Sequence, residues 1–336
     1  MLLLSVIYVI LSTASVVLAA FDPGVKTNLA VYWGQNSAGS ADSQTRLSNY
    51  CTDSNINIIP ISFLTSMNAA GGQPVLNVAN QGGKCTTATE PMKCPEIEED
   101  IKVCQGKGKT ILLSLGGDRG AGFNYADEAA AKQGAEKLWK MFGPDQHKND
   151  IIRPFGSAVV DGFDFDFETE FQNAAAFAQG LRDQMRASSR DKTYYLSAAP
   201  MCATVPGSGK SVIERVLDQV QLDMVSVQFY NDGNCDVTRN FNFEAWNTWA
   251  KTKNTTFLVG LPASSTAARS TSHVAPEKLK DVFGKAKGLE KMGGAMLWDA
   301  SQAWANDKYH VKVKEALATA ALARRHWDVR TFELDG

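Results

Sequence analysis

Eight short β-branched or aromatic runs recur along this chain, most of them followed by a loop and a helix-compatible stretch. They are Leu29–Trp33, Ile56–Phe63, Thr110–Leu115, Val159–Phe167, Tyr194–Ala199, Met224–Tyr230, Thr256–Leu261 and Ala295–Trp298. Between most of them lie amphipathic segments such as Asp127–Phe142 and Asn173–Ala187, with apolar residues three and four apart. Strands alternating with helices imply a parallel sheet, because parallel neighbours need a crossover between them. An open, doubly wound sheet is the alternative, but it has no need of eight such units. The pattern predicts a single-domain α/β fold, a (β/α)8 or TIM barrel, for which about 250 residues is typical.

In barrels of this type the chemistry sits at the C-terminal ends of the strands. Several runs end in polar or aromatic clusters: Tyr32-Trp33-Gly34-Gln35, Ser114-Leu115-Gly116-Gly117, Gln228-Phe229-Tyr230-Asn231 and Trp298-Asp299. The most informative is Asp161-Gly162-Phe163-Asp164-Phe165-Asp166-Phe167-Glu168. Strand side chains alternate faces, so Asp164, Asp166 and Glu168 share one side and the three Phe the other. The Phe face is expected under the helices and the acid face inside the barrel. Like charges and desolvation both raise carboxyl pKa, so such a cluster holds a proton near neutral pH, as general acid catalysis requires. A divalent-metal site is the competing reading, without a nearby His to support it.

D-G-F-D-F-D-F-E resembles the D-x-x-D-x-D-x-E signature of family 18 glycoside hydrolases, and Ser114-Leu115-Gly116-Gly117 resembles their S-x-G-G element. Further segments resemble the class III, hevamine-like, plant and fungal chitinases. These are Ala30-Val31-Tyr32-Trp33-Gly34-Gln35-Asn36, Val227-Gln228-Phe229-Tyr230-Asn231, Gly260-Leu261-Pro262-Ala263 and Met296-Leu297-Trp298. The likeness runs in order from about residue 28 to 310.

The resemblance implies a secreted, endo-acting chitinase that works as a monomer, needs no cofactor or metal and binds chitin oligosaccharides. Family 18 departs from the usual two-carboxylate glycosidase. In it the substrate's own 2-acetamido oxygen attacks the anomeric carbon, giving an oxazolinium intermediate and overall retention. By position, Glu168 is then the acid that protonates the leaving oxygen and later deprotonates water. Asp166 orients the acetamido nitrogen, Asp164 is the buried partner sharing its proton, Asp161 is structural, and Tyr230 hydrogen-bonds the acetamido carbonyl. Trp298 forms the floor for the −1 sugar, and Tyr32, Gln35, Gly117, Gln228 and Asn231 line the groove, with barrel packing the alternative for Tyr32 and Gln228. The resemblance also implies the pairs Cys51–Cys104, Cys85–Cys94 and Cys202–Cys235, among fifteen pairings that arithmetic alone leaves open. The segments Thr65–Gly83 and Ser264–His273 have no assignable counterpart and are expected to shape outer subsites.

The rest of the sequence is consistent with export. Residues 1–20 carry no charge and end in small residues, as a secretory leader does. This divides the chain into a leader (1–20), a catalytic barrel (21–325) and a tail (326–336). Six cysteines, an even number, and the sequon Asn254-Thr255-Thr256 suit the same route, and the sequon's place before the seventh run puts a glycan opposite the site. A net charge of −2 excludes steering toward nucleic acid or an anionic membrane. Gly207-Ser208-Gly209-Lys210-Ser211 imitates part of a phosphate loop, but Thr204 stands where its first Gly is required. Gly116-Gly117-Asp118-Arg119-Gly120 has the wrong spacing for a dinucleotide turn. Two rivals stay open: a non-catalytic lectin or glycosidase inhibitor on the same barrel, and an endo-β-N-acetylglucosaminidase acting on N-glycans.

Overall fold

The computed structural model describes residues 20–332 except 68–72, 87–90, 119, 121, 145–150, 189–191 and 208–210. The expected leader, apart from residue 20, lies outside the described residues. The described residues form nine strands: β1 (Asn28–Val31), β2 (Ile58–Ser66), β3 (Val75–Leu76), β4 (Thr110–Gly117), β5 (Gly162–Phe167), β6 (Tyr195–Ala198), β7 (Met224–Gln228), β8 (Thr256–Pro262) and β9 (Met292–Trp298). All but the short β3 pair in parallel, in the order β1-β9-β8-β7-β6-β5-β4-β2, and β1 pairs β2 to close the ring. The result is an eight-stranded (β/α)8 barrel, with all eight expected strands in their places.

Among the described residues, nine α-helices accompany the strands: α1 (Leu47–Tyr50), α2 (Pro95–Gly106), α3 (Glu128–Phe142), α4 (Ala174–Ser188), α5 (Val212–Gln219), α6 (Phe243–Lys253), α7 (Leu279–Ala286), α8 (Ala300–Ala305) and α9 (Tyr309–Phe332). The two amphipathic stretches read from the sequence are α3 and α4. Asp127 caps α3 by accepting from the Ala130 amide at 2.8 Å, and the helix buries Ala131, Ala135, Leu138 and Phe142 against the barrel. The phosphate-loop look-alike is in part the start of a helix. Ser211 and Glu214 form a capping box on α5, and the Gly207 amide donates to Glu214 at 3.1 Å; residues 208–210 lie outside the described residues.

Strand alternation divides the core into two shells. Outward residues such as Ile59, Ile61, Leu113, Phe163 and Phe165 pack under the helices. Inward residues such as Ala30, Ile58, Leu112, Met224, Leu258 and Met296 fill the barrel. Phe21 plugs its N-terminal end: its amide donates to Thr110 Oγ1 at 3.0 Å, and its ring meets Tyr195 edge-on at 5.3 Å.

The fifth strand begins at Gly162, three residues later than its apolar pattern starts. Asp161 instead turns its carboxylate onto the neighbouring strand, accepting from the Ile111 amide at 2.7 Å and pairing with Lys192 at 2.6 Å. The ninth begins at Met292, earlier than its pattern, because Gly293 and Gly294 carry no strand signal of their own. The segment after β2 folds back as β3, antiparallel to β2, and continues into a 3-10 turn, Ala79–Lys84. The barrel's last helix, α9, carries its backbone on to Phe332, so part of the expected tail is helical.

Three disulfides join Cys51–Cys104, Cys85–Cys94 and Cys202–Cys235, with Cα separations of 5.1, 4.2 and 5.8 Å. These are the pairs the resemblance implies. Among the described residues, no helix is long and apolar enough to cross a membrane. Asn254 is exposed at the left-handed C-cap of α6, at the N-terminal end of β8 and thus on the face opposite the strand ends that carry the acids.

Candidate active site

The C-terminal strand ends enclose a cavity of about 500 Å³, into which Asp166, Glu168, Gln228, Tyr230, Asn231, Trp298 and Gln35 project. These residues are far apart in sequence, and barrel closure brings them together.

Asp164 lies beneath the cavity, 1% exposed. Its carboxylate accepts three hydroxyls: Tyr32 at 2.7 Å, Ser114 at 2.6 Å and Ser197 at 2.5 Å. Burial pushes its pKa up while these three bonds hold it down. Tyr32 is therefore a buried support for Asp164, 1% exposed, and does not line the cavity. Ser114 and Ser197 are drawn in because β4 and β6 flank β5 in register, Ser114 beside Asp164 and Asp164 beside Ser197.

Asp166 is 4% exposed and accepts from Gln228 Nε2 at 3.1 Å. Its pKa stands well above the carboxylate range, through burial first and then the charges of Glu168, Asp164 and Asp118. Asp166 and Glu168 are hydrogen-bonded to each other, an arrangement that raises Asp166 and lowers Glu168. The two carboxyls therefore share a proton and titrate as a unit. The resemblance pairs Asp166 with Asp164; in the structure Asp164 accepts three hydroxyls, and its charge is among those that raise Asp166.

Glu168 stands just past the end of β5 and is open to the cleft. Desolvation of its carboxyl is the largest influence and raises its pKa; Gln228 and Asp166 oppose it by hydrogen bonding and Asp118 adds to it. A raised glutamic acid facing a cavity is what protonation of a leaving group needs. Tyr230 is 6% exposed, its pKa pushed well up by burial and by Asp166 and Glu168, so it stays a neutral O–H donor. That hydroxyl is not committed to a protein hydrogen bond among the described residues.

Aromatic rings form the opposite wall. Trp298 stacks on Phe63 with centroids 5.8 Å apart and planes at 21°, and leans on Tyr32 at 5.7 Å. The peptide bonds Ser62–Phe63 and Trp298–Asp299 are both cis. Gln35 donates to the carbonyls of Ser62 and Asn77, each at 2.8 Å, which ties the β1 and β2 ends together. Gly117, at the end of β4, has φ +77°, and a Cβ there would meet the Phe63 ring at 2.7 Å. It does not itself line the cavity. Asn231 also has positive φ, at 65°, and its side chain accepts from the Arg269 amide at 2.8 Å. That bond draws the Ser264–His273 insertion onto the cleft, where Ala267 joins the lining.

Asp118, Phe63 and Met201 line the cavity without having been singled out in the sequence. Asp118 follows Ser-Leu-Gly-Gly directly, so extending that motif by one residue would have found it. Phe63 and Met201 carry no comparable signal.

A family model for glycosyl hydrolases family 18 matches residues 28–283. This chain belongs to that family. Endochitinase 33 of Trichoderma harzianum is 43% identical over 315 residues, covering 89% of this chain and 94% of the relative. Among solved structures, the ICChI chitinase of Ipomoea carnea superposes with a TM-score of 0.71 at 28% identity, over 86% of this chain and 99% of the other. The xylanase and α-amylase inhibitor XAIP-II of Scadoxus multiflorus gives a TM-score of 0.69 at 29% identity, over 85% and 97%. Similar barrels thus carry both an enzyme and an inhibitor, and only the site can separate them.

Proposed function

We propose that this protein is a chitinase that hydrolyses β-1,4-linked N-acetylglucosamine polymers with retention, acting within the chain. The observation that carries this reading is the hydrogen-bonded Asp166–Glu168 pair facing one cavity with Tyr230 and Trp298. Trp298 supplies an apolar floor for a pyranose ring. Glu168 protonates the glycosidic oxygen as its bond to C1 breaks, while the sugar's own acetamido oxygen closes onto C1. Asp166 leaves the shared proton to Glu168, turns to accept from the acetamido N–H, and its negative charge balances the oxazolinium. The Tyr230 hydroxyl donates to the acetamido oxygen, a preorganised dipole aimed where charge develops. Water, deprotonated by Glu168, then opens the ring from the face the leaving group left.

The same reading gives Gln35, Gln228 and Asn231 to the groove and Gly117 to the close approach of its wall. It makes the chain self-sufficient as a monomer, since every lining residue comes from one ring of strands. Residues 1–20 act as a secretory leader, 21–325 as the catalytic barrel and 326–336 as its tail, which makes the protein extracellular or wall-associated and Asn254 a glycan acceptor. The three disulfides and the exposed sequon support export.

The test is hydrolysis of a fluorogenic chitotrioside and of colloidal chitin by the mature protein beside Glu168→Gln. Removing a general acid–base group costs about 10²–10⁴-fold in rate. The variant should lose at least that much while still binding the oligomer. Binding without hydrolysis by the unmodified protein would hand the site to the lectin or inhibitor reading.

A further inference from the structure

The Tyr230 hydroxyl is left for substrate, so its aim depends on ring packing and on how the backbone to either side of it is fixed. On one side Phe229 is anchored: its amide donates to the Gly260 carbonyl at 3.2 Å and its carbonyl accepts from the Val237 amide at 2.9 Å. On the other side the amide of Asn231, which belongs to the Tyr230–Asn231 peptide, donates to Ser272 Oγ at 3.0 Å. The Ser272 hydroxyl in turn donates to Asp236 Oδ2. A carboxylate only accepts, so Asp236 fixes the direction of that proton and turns a lone pair of Oγ toward the Asn231 amide. Ser272 is 1% and Asp236 4% exposed, so this is a buried relay. The other Asp236 oxygen accepts from the Thr238 amide at 2.9 Å, and Thr238 Oγ1 lies 2.9 Å from the Thr271 carbonyl. Asn231 Oδ1 takes the Arg269 amide at 2.8 Å, and Ala268 packs against the inner cluster that includes Tyr230. The loop after β7 and the Ser264–His273 segment are thus joined at several points, and the Cys202–Cys235 disulfide ties that loop to the segment after β6.

We propose that Ser272 and Asp236 are positioning residues for the reaction: Asp236 orients the Ser272 hydroxyl, which holds the Tyr230–Asn231 peptide and so aims the Tyr230 hydroxyl at the substrate's acetamido oxygen. This rests on the chitinase reading, in which Tyr230 makes that bond. Asn231 stands at φ 65°, a conformation that Asn tolerates better than most residues but that still has to be held in place. Ser272 holds its amide and Arg269 its side chain, both from the Ser264–His273 segment. That segment therefore does more than border the groove, because its Ser272 acts on the reacting sugar through a single peptide. The acetamido oxygen is the nucleophile, so a misplaced Tyr230 loses alignment for attack rather than affinity for the sugar chain. The effect falls on kcat more than on KM.

The experiment measures kcat and KM on the chitotrioside for the unmodified protein, Ser272→Ala and Asp236→Asn, each variant alone and combined with Tyr230→Phe. Ser272→Ala removes the relay hydroxyl. Asp236→Asn keeps the shape but offers one oxygen to the Ser272 hydroxyl and the Thr238 amide, which the carboxylate satisfies with two. Each should lower kcat about 10–100-fold while KM stays within about threefold. In the Tyr230→Phe background either should cost no more than about threefold further, since the hydroxyl it positions is gone. Rates are referred to the folded fraction from urea unfolding, and the near-isosteric Asp236→Asn carries the test if Ser272→Ala does not fold. An unchanged kcat per folded molecule, or losses that multiply with that of Tyr230→Phe, overturns the proposal and leaves Ser272 and Asp236 as residues that only stabilise their loops. An unmodified protein without any hydrolysis refutes the chitinase reading and this proposal with it, so the two failures are distinguishable.

Discussion

Ser197→Ala removes one of the three hydroxyls that hold Asp164, the shortest of them at 2.5 Å. Water cannot replace it, since Asp164 and Ser197 are 1% and 2% exposed. A hydrogen bond to a charged group contributes about 1.5–3 kcal/mol, and one between neutral groups about 0.5–1.5 kcal/mol. The cost of the substitution should therefore depend on whether Asp164 is ionised. Burial raises the Asp164 pKa and the three hydroxyls oppose that rise, so losing one raises it further. For a group with a raised folded-state pKa, its contribution to stability is fully present below the unfolded value, about 3.9, and is lost as pH rises through the folded value. Ser197→Ala should thus cost about 2 kcal/mol at pH 7 and about 1 kcal/mol at pH 3.5. Urea unfolding at the two pH values, with unchanged m-values, measures the difference. Tyr32→Phe should show the same sign. Equal costs at both pH values, or a larger cost in acid, would refute an anionic Asp164 and with it the account of what those hydroxyls are for.

Phe21→Ala should destabilise the protein by about 3–5 kcal/mol, because it empties the plug at the N-terminal end of the barrel. It should leave kcat/KM per folded molecule unchanged, since the catalytic cavity is at the other end; denaturant unfolding and an assay on the folded fraction check both. Gly116→Ala combines a φ of +105° with a Cβ 2.4 Å from the Asp166 carbonyl. It should cost at least about 2 kcal/mol and lower kcat/KM tenfold or more, because relief of the clash moves β5 and its carboxyls.

The positions of the strands were legible because their apolar runs are bounded by turn residues and their alternation is strict. Phe163, Phe165 and Phe167 against Asp164, Asp166 and Glu168 is a two-residue period that admits only one assignment of faces. Boundaries were less legible. Asp161 looks like the first residue of a strand but serves the neighbouring backbone instead, and Gly293 and Gly294 extend a strand that their composition conceals. The groove was partly legible through family motifs; they left Tyr32 between groove lining and barrel packing, and the structure sets it beneath the cavity as a donor to Asp164.

By itself the sequence determined which residues alternate, which acids share a face, and that eight such units follow one another in a chain with an even number of cysteines. These are local properties, set by side-chain period and by residue type. Only the tertiary structure decided which distant groups surround each carboxyl: three hydroxyls on Asp164, Gln228 on Asp166, and Asp118 lining the cavity that Glu168 faces. The reason is physical. Proton affinity depends on burial and on charges a few ångströms away, and those neighbours come from strands that meet only when the barrel closes.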